Sequence, residues 1–140
     1  MSLPSFTTPA YGITRIVQHT TMDEAIERVT TSLGAEGFGV LTRIDVDKTL
    51  QAKLGVEIAP YVILGACSPA LAQQALQVDP GLGLLMPCNV VVATQPNGDI
   101  VLSAADAPSL FKALDEATQA KLRDLGLEVR AQLARAIDNA

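Results

Sequence analysis

Pro60-Tyr61-Val62-Ile63-Leu64-Gly65-Ala66-Cys67-Ser68-Pro69 opens the stretch that decides the fold, and Leu84-Leu85-Met86-Pro87-Cys88-Asn89-Val90-Val91-Val92 closes it. The first run is a continuous apolar segment of strand length, with Pro60 at its start, where a missing N–H is tolerated. Ser68 then reads as a helix cap, and Pro69 as the first helical residue, whose fixed φ suits that position. Leu71, Ala72, Ala75 and Leu76 supply the buried face of that helix. After a turn at Pro80-Gly81, the closing run reads as a second apolar strand from about Leu84 to Val92.

Towards the N-terminus, Thr21 and Glu24 form a capping-box pattern, followed by Met22, Ala25, Ile26, Val29 and Leu33 at helical spacing. This predicts a helix from about Met22 to Ala35, stopped by Gly34 and Gly37, and a strand before it around Tyr11 to Gln18. Phe38, Val40, Leu41, Ile44 and Val46 predict another strand, capped at Asp45 or Asp47 into a short helix holding Leu50 and Leu54 and ending at Gly55. Residues 1–10, with Pro4 and Pro9, read as an extended tail ahead of a single domain at 11–140.

Towards the C-terminus, Gln95-Pro96-Asn97-Gly98-Asp99 reads as a hairpin loop leading to a strand over Ile100–Ala104. Asp106 caps a helix-compatible segment beginning at Ala107-Pro108. Leu110, Phe111, Leu114, Leu122, Leu125, Val129, Leu133 and Ile137 predict one or two helices, with a break near Thr118 or Gly126. The order β-α-β-α-β-α-β-β-α mixes a hairpin with crossovers. It predicts a two-layer α+β domain with a mixed or antiparallel sheet covered by helices on one face.

Composition narrows the function classes. A chain of 140 residues suits one domain, and 4% aromatics within 49% hydrophobic residues predict an aliphatic core. A net charge of −5 and the absence of a clustered Lys/Arg footprint argue against nucleic acid as a partner. The apolar run Leu82–Val92 is broken by Gly83, Pro87 and Asn89 and is far shorter than the ~20 residues of a membrane-spanning helix, so no membrane role is expected. The first residues lack a charged n-region and an apolar h-region, and the expected location is cytoplasmic. Met1-Ser2-Leu3 is also compatible with a replaced native start that would hide a removed signal.

Both cysteines lie in the deciding stretch, 21 positions apart, as free thiols rather than a disulfide scaffold. A helix opening directly after Cys67 at Ser68 presents unpaired N–H groups and partial positive charge, an environment that stabilises thiolates and docks anions. Pro87 inside an apolar run predicts a bulge or an edge, which would turn Cys88 and Asn89 towards a pocket. Glu57 sits where it can approach the end of the sheet. The plainer reading makes Ser68 a simple cap, the cysteines small core residues and Glu57 a solvated carboxylate.

Two thiolates are half of a usual zinc set, and a copper(I) site would need Met86 or His19 as well, so no metal is expected. His19 shows no spacing that pairs it with either thiol. Gly81-Leu82-Gly83 precedes a strand instead of a helix, so it is no dinucleotide loop, and no cofactor is expected.

The motifs Glu36-Gly37-Phe38-Gly39-Val40-Leu41 with Ile44-Asp45-Val46, Lys53-Leu54-Gly55, Pro60 to Cys67, Pro69 with Leu71-Ala72, Gly83-Leu84-Leu85 and Pro87-Cys88-Asn89-Val90-Val91 resemble a bacterial and archaeal family known as domain of unknown function 302. Ser68 departs from that pattern, which usually has asparagine there; both residues cap helices. The resemblance implies a compact α+β domain similar in shape to the TATA-binding-protein fold, forming dimers, with no established activity.

Together these readings lead to a non-enzymatic homodimeric domain binding a small anionic or thiol-reactive ligand at Cys67, Ser68, Cys88, Asn89 and Glu57. Two other classes stand beside it: a thiol-dependent redox enzyme or sensor using Cys67 and Cys88, and a purely structural dimerisation domain.

Overall fold

A computed structural model describes all 140 residues. Five strands, β1 (Gly12–Val17), β2 (Gly39–Asp45), β3 (Tyr61–Cys67), β4 (Cys88–Thr94) and β5 (Ile100–Ala105), form one sheet in the order β1-β5-β4-β3-β2. Every neighbouring pair is antiparallel. The helices are α1 (Met22–Ala35), α2 (Val46–Leu54), α3 (Pro69–Val78), the single turn α4 (Ala107–Leu110) and α5 (Glu116–Asp138), with 3-10 turns at Pro80–Leu85 and Phe111–Ala113. The result is a two-layer α+β fold with an open antiparallel sheet, of the TATA-binding-protein-like kind.

Strand alternation sorts the sheet into two faces. One carries Val62, Leu64 and Ala66 of β3, Val90 and Val92 of β4, and Ile100, Leu102 and Ala104 of β5, all buried. Onto it α1 packs Ala25, Val29 and Leu33, and α5 packs Val129, Leu133, Ala136 and Ile137, completing the main core. Thr21 starts α1 by accepting from the Glu24 N–H at 3.2 Å. Asp115 starts α5 by accepting from the Thr118 N–H at 2.8 Å, and that backbone bond holds its carboxyl below the usual carboxylate range.

A smaller core of Ala75, Leu82 and Leu122 lies where α3 and the Pro80–Leu85 turn meet α5, and Phe111 and Leu125 pack against both cores. Helix α2 buries no residue. It is tied to the start of β3 through Asp47, whose Oδ1 accepts from the Tyr61 N–H at 3.1 Å.

The opposite sheet face is different in character. Its residues run from Thr14 and Ile16 of β1 through Ser103 and Val101, Val91 and Ala93, and Ile63 and Tyr61, to Thr42 and Ile44 of β2, and none is charged. An exposed antiparallel face usually alternates into polar and charged residues. Here the N-terminal segment lies across part of it. Phe6 donates its N–H to Gln95 Oε1 at 2.8 Å and accepts from Gln95 Nε2 at 3.3 Å. Pro9 packs on Gly12 at the far end of the sheet, and Gly12 N–H closes the turn onto the Pro9 carbonyl at 3.0 Å.

Three readings of the sequence need correction. Leu84 to Pro87 is not strand: Pro80 to Leu85 coils into a 3-10 turn, and β4 begins at Cys88, after a cis Met86-Pro87 peptide. Pro87 is therefore neither a bulge nor an edge, for β4 is a central strand, and the register irregularity falls in β2 between Val40 and Thr42. The C-terminal break comes at Leu114-Asp115, while α5 runs unbroken through Thr118 and Gly126.

Candidate functional site

The end of the sheet where β3 passes into α3 and the 3-10 turn passes into β4 holds a cavity of about 60 Å³. It occupies the seam between the two cores, bordered by Ala66 and Leu71 from one and by Ala75 and Leu82 from the other. Phe111 and Leu125 close it from the α4–α5 side. This volume is several times what one water requires. Sixteen of the eighteen lining residues are hydrophobic, and Ser68 is the only lining residue with a hydroxyl. Apolar cavities of this kind take apolar guests.

Cys67, Ser68 and Cys88 all line this cavity; Asn89 and Glu57 do not. Asn89 pairs with Gly65 across the ladder and is exposed on the uncharged face, since neighbours along a strand point to opposite sides. Glu57 lies beyond the start of β3, about 20 Å of strand from Cys67. It borders a separate shallow hollow with Asp47 and Lys48, and its carbonyl accepts from the Met1 amino group at 2.9 Å. Ser68 has the extended backbone of an N-cap, but its side chain makes no capping bond. His19, at φ 56°, is exposed and outside the cavity.

The thiols are unbridged and half-buried. Ala66 pairs with Cys88, so Cys67 stands one position along β3 from the residue opposite Cys88. Burial, and then the nearby Cys67, push the Cys88 thiol up to about 11. At pH 7 about one Cys88 in ten thousand is then ionised, so it behaves as a small apolar side chain. No group of three or more His, Cys, Asp or Glu gathers anywhere in the molecule in a metal-holding arrangement. No helix is long and apolar enough to cross a membrane.

The raised thiol carries a sign for stability. Protonated Cys88 is favoured more in the folded chain than in the unfolded one, so its contribution is complete below pH 9 and is lost as pH climbs through about 11. Across that window, wild type should lose on the order of 2 kcal/mol relative to Cys88→Ala, as read from urea midpoints in reductant at pH 8 and pH 11. Tyr61, raised first by burial and then by Tyr11, is common to both proteins and cancels. Parallel pH profiles for the two proteins would show that Cys88 is not desolvated.

Residues 13–140 match the family described as Domain of unknown function DUF302. The chain belongs to the DUF302 family. It is similar to a crystal structure of an uncharacterized conserved DUF302 protein from Bacillus stearothermophilus, with 32% identity and a TM-score of 0.82 over 94% of this chain and 98% of that one. No curated protein matches. The DUF302 match starts at Ile13, so the Phe6–Pro9 segment on the open sheet face lies outside it.

Sequence reasoning missed the far wall of the cavity. Leu125 and Val129 were legible as one helical face, but nothing local shows that this face meets α3 and the Pro80–Leu85 turn. Phe111 reads as helical from the sequence but belongs to a 3-10 turn that brings its ring towards Gly126.

Proposed function

We propose that this DUF302 chain is a non-enzymatic, homodimeric binding domain whose guest is a small uncharged apolar molecule held in the seam cavity beside Cys67, Ser68 and Cys88. The observation that carries this reading is the lining: an apolar wall with one hydroxyl and two thiols, one of them pushed up to about 11. An anion would find no cationic side chain there, only the N-terminus of α3. The same raised thiol weighs against the redox reading, because the thiolate is the reactive form. Self-association is supported by the uncharged sheet face, since copies that each carry −5 repel least where neither presents charge.

Thermal unfolding in matched series of short straight-chain alcohols and carboxylates tests the guest. The alcohols should raise Tm saturably and the carboxylates of equal length should not. Ala75→Leu, which builds into the cavity, should remove the effect while leaving the chain folded. Saturable binding that survives Ala75→Leu, or that favours the carboxylates, would place the site elsewhere or return the guest to an anion.

A further inference from the structure

We propose that residues 1–10 are an intramolecular strap that competes with a second copy of this chain for the uncharged face of the sheet, so that self-association is held back until the strap lifts. This rests on the homodimeric reading and adds where the copies meet and what controls their meeting.

Three observations converge. First, the strap is pinned at opposite ends of the sheet, by Phe6 on Gln95 beside the β4–β5 hairpin and by Pro9 on Gly12 at the start of β1. The residues between must therefore pass over β5, and there Val101 is 0% and Ser103 6% exposed although α1 and α5 lie on the other side. Second, the flanks the strap leaves open are apolar and solvent-facing, with Ile16 at 45% and Ile44 at 50% exposure on the two edge strands. Third, the strap lies outside the 13–140 family match, so this cover is an addition to the domain and not part of its core.

Charge selects the occupant. A membrane surface or a nucleic acid would repel a chain of net charge −5 that has no cationic cluster on this face, whereas a second copy presents the same neutral face in an isologous contact. The strap is held by a few separate hydrogen bonds: two to Gln95 at the hairpin, one from the Met1 amino group to the Glu57 carbonyl, one from Ser109 Oγ to the Ala10 carbonyl and the Gly12 N–H onto the Pro9 carbonyl, each worth little net free energy.

Gln95→Ala in the full chain removes both bonds without touching the sheet face. Two readouts decide the matter: the rate of chymotrypsin cleavage after Phe6, and the dimer dissociation constant from sedimentation. Cleavage should accelerate and the dissociation constant should fall at least tenfold; adding Val91→Glu should then reverse the gain by placing a charge on the shared face. Faster cleavage with an unchanged dissociation constant would overturn the strap as a competitor while leaving the dimer standing. Weaker dimers would overturn it too, making the strap part of the interface. If cleavage accelerates and neither protein associates at any concentration, the homodimeric reading falls with it.

Discussion

Gly65→Val should lower stability by about 3 kcal/mol, near 10 °C in Tm, the largest loss we expect from a single substitution in this chain. Gly65 is buried on β3, between β2 and β4, on the uncharged face. A Cβ at that position would collide with Thr42 Oγ1 and lie 2.8 Å from Pro87 Cγ. The hydroxyl can rotate away, whereas the proline ring is fixed at the mouth of β4, so relief has to come from parting the strands. Adding Thr42→Ala should recover only part of the loss, a coupling that a double-mutant cycle in urea reads directly. Full recovery would mean that Pro87 yields. A Gly65→Val protein within 1 kcal/mol of wild type would mean that the β2–β3 pairing is softer than its register implies.

Arg15→Met should cost about 2 kcal/mol and fray the last turn of α5. Arg15 stands on the helix-covered side of β1, and its Nη1 donates to the carbonyls of Ile137 at 3.2 Å, Asp138 at 2.9 Å and Ala140 at 2.9 Å. Those of Ile137 and Asp138 are among the last-turn oxygens of α5, at the end where its dipole is negative, and Ala140 lies two residues past the helix. Arg15→Lys should recover part of the loss, keeping the charge but losing the planar fork. Amide exchange in the last turn of α5 should speed up in Arg15→Met well before exchange in β4 does. Equal acceleration throughout would show a global loss with no local capping role.

Most of the architecture was readable because its signals are local. The capping pattern at Thr21 and Glu24, the apolar run into Ser68-Pro69 and the Asn97-Gly98 loop each specify an element within a few residues. Where reading failed, a distant partner decided. Leu84 to Met86 continues an apolar run that looks like strand, and such runs do not by themselves distinguish strand from buried coil. The run coils instead, placing Leu82 in the small core and leaving Leu84 91% exposed. Gly126 looked like a helix breaker. It is a point of close approach, where an added Cβ would sit 3.1 Å from the Phe111 ring that closes the cavity.

The candidate site was half legible, and one part of the miss was avoidable. Cys88 and Asn89 are adjacent in a strand, and alternation alone sends them to opposite faces. Eleven of the eighteen lining residues belong to the deciding stretch, whereas the five from α4, the 3-10 turn after it and α5 are brought to it only by the tertiary fold.

The sheet order also fixes a schedule for the chain as it is made. Strand β1 pairs only with β5, joining residues 12–17 to residues 100–105, and Arg15 finds its carbonyls only at the end of α5. At the usual pace of synthesis, the first strand waits roughly 4–17 s before its partner has been made. During that interval Ile13, Ile16 and Val17 have no sheet to join. The native sheet is therefore completed only once β5 has emerged, and until then β1 is an unpaired strand whose partner lies far along the chain.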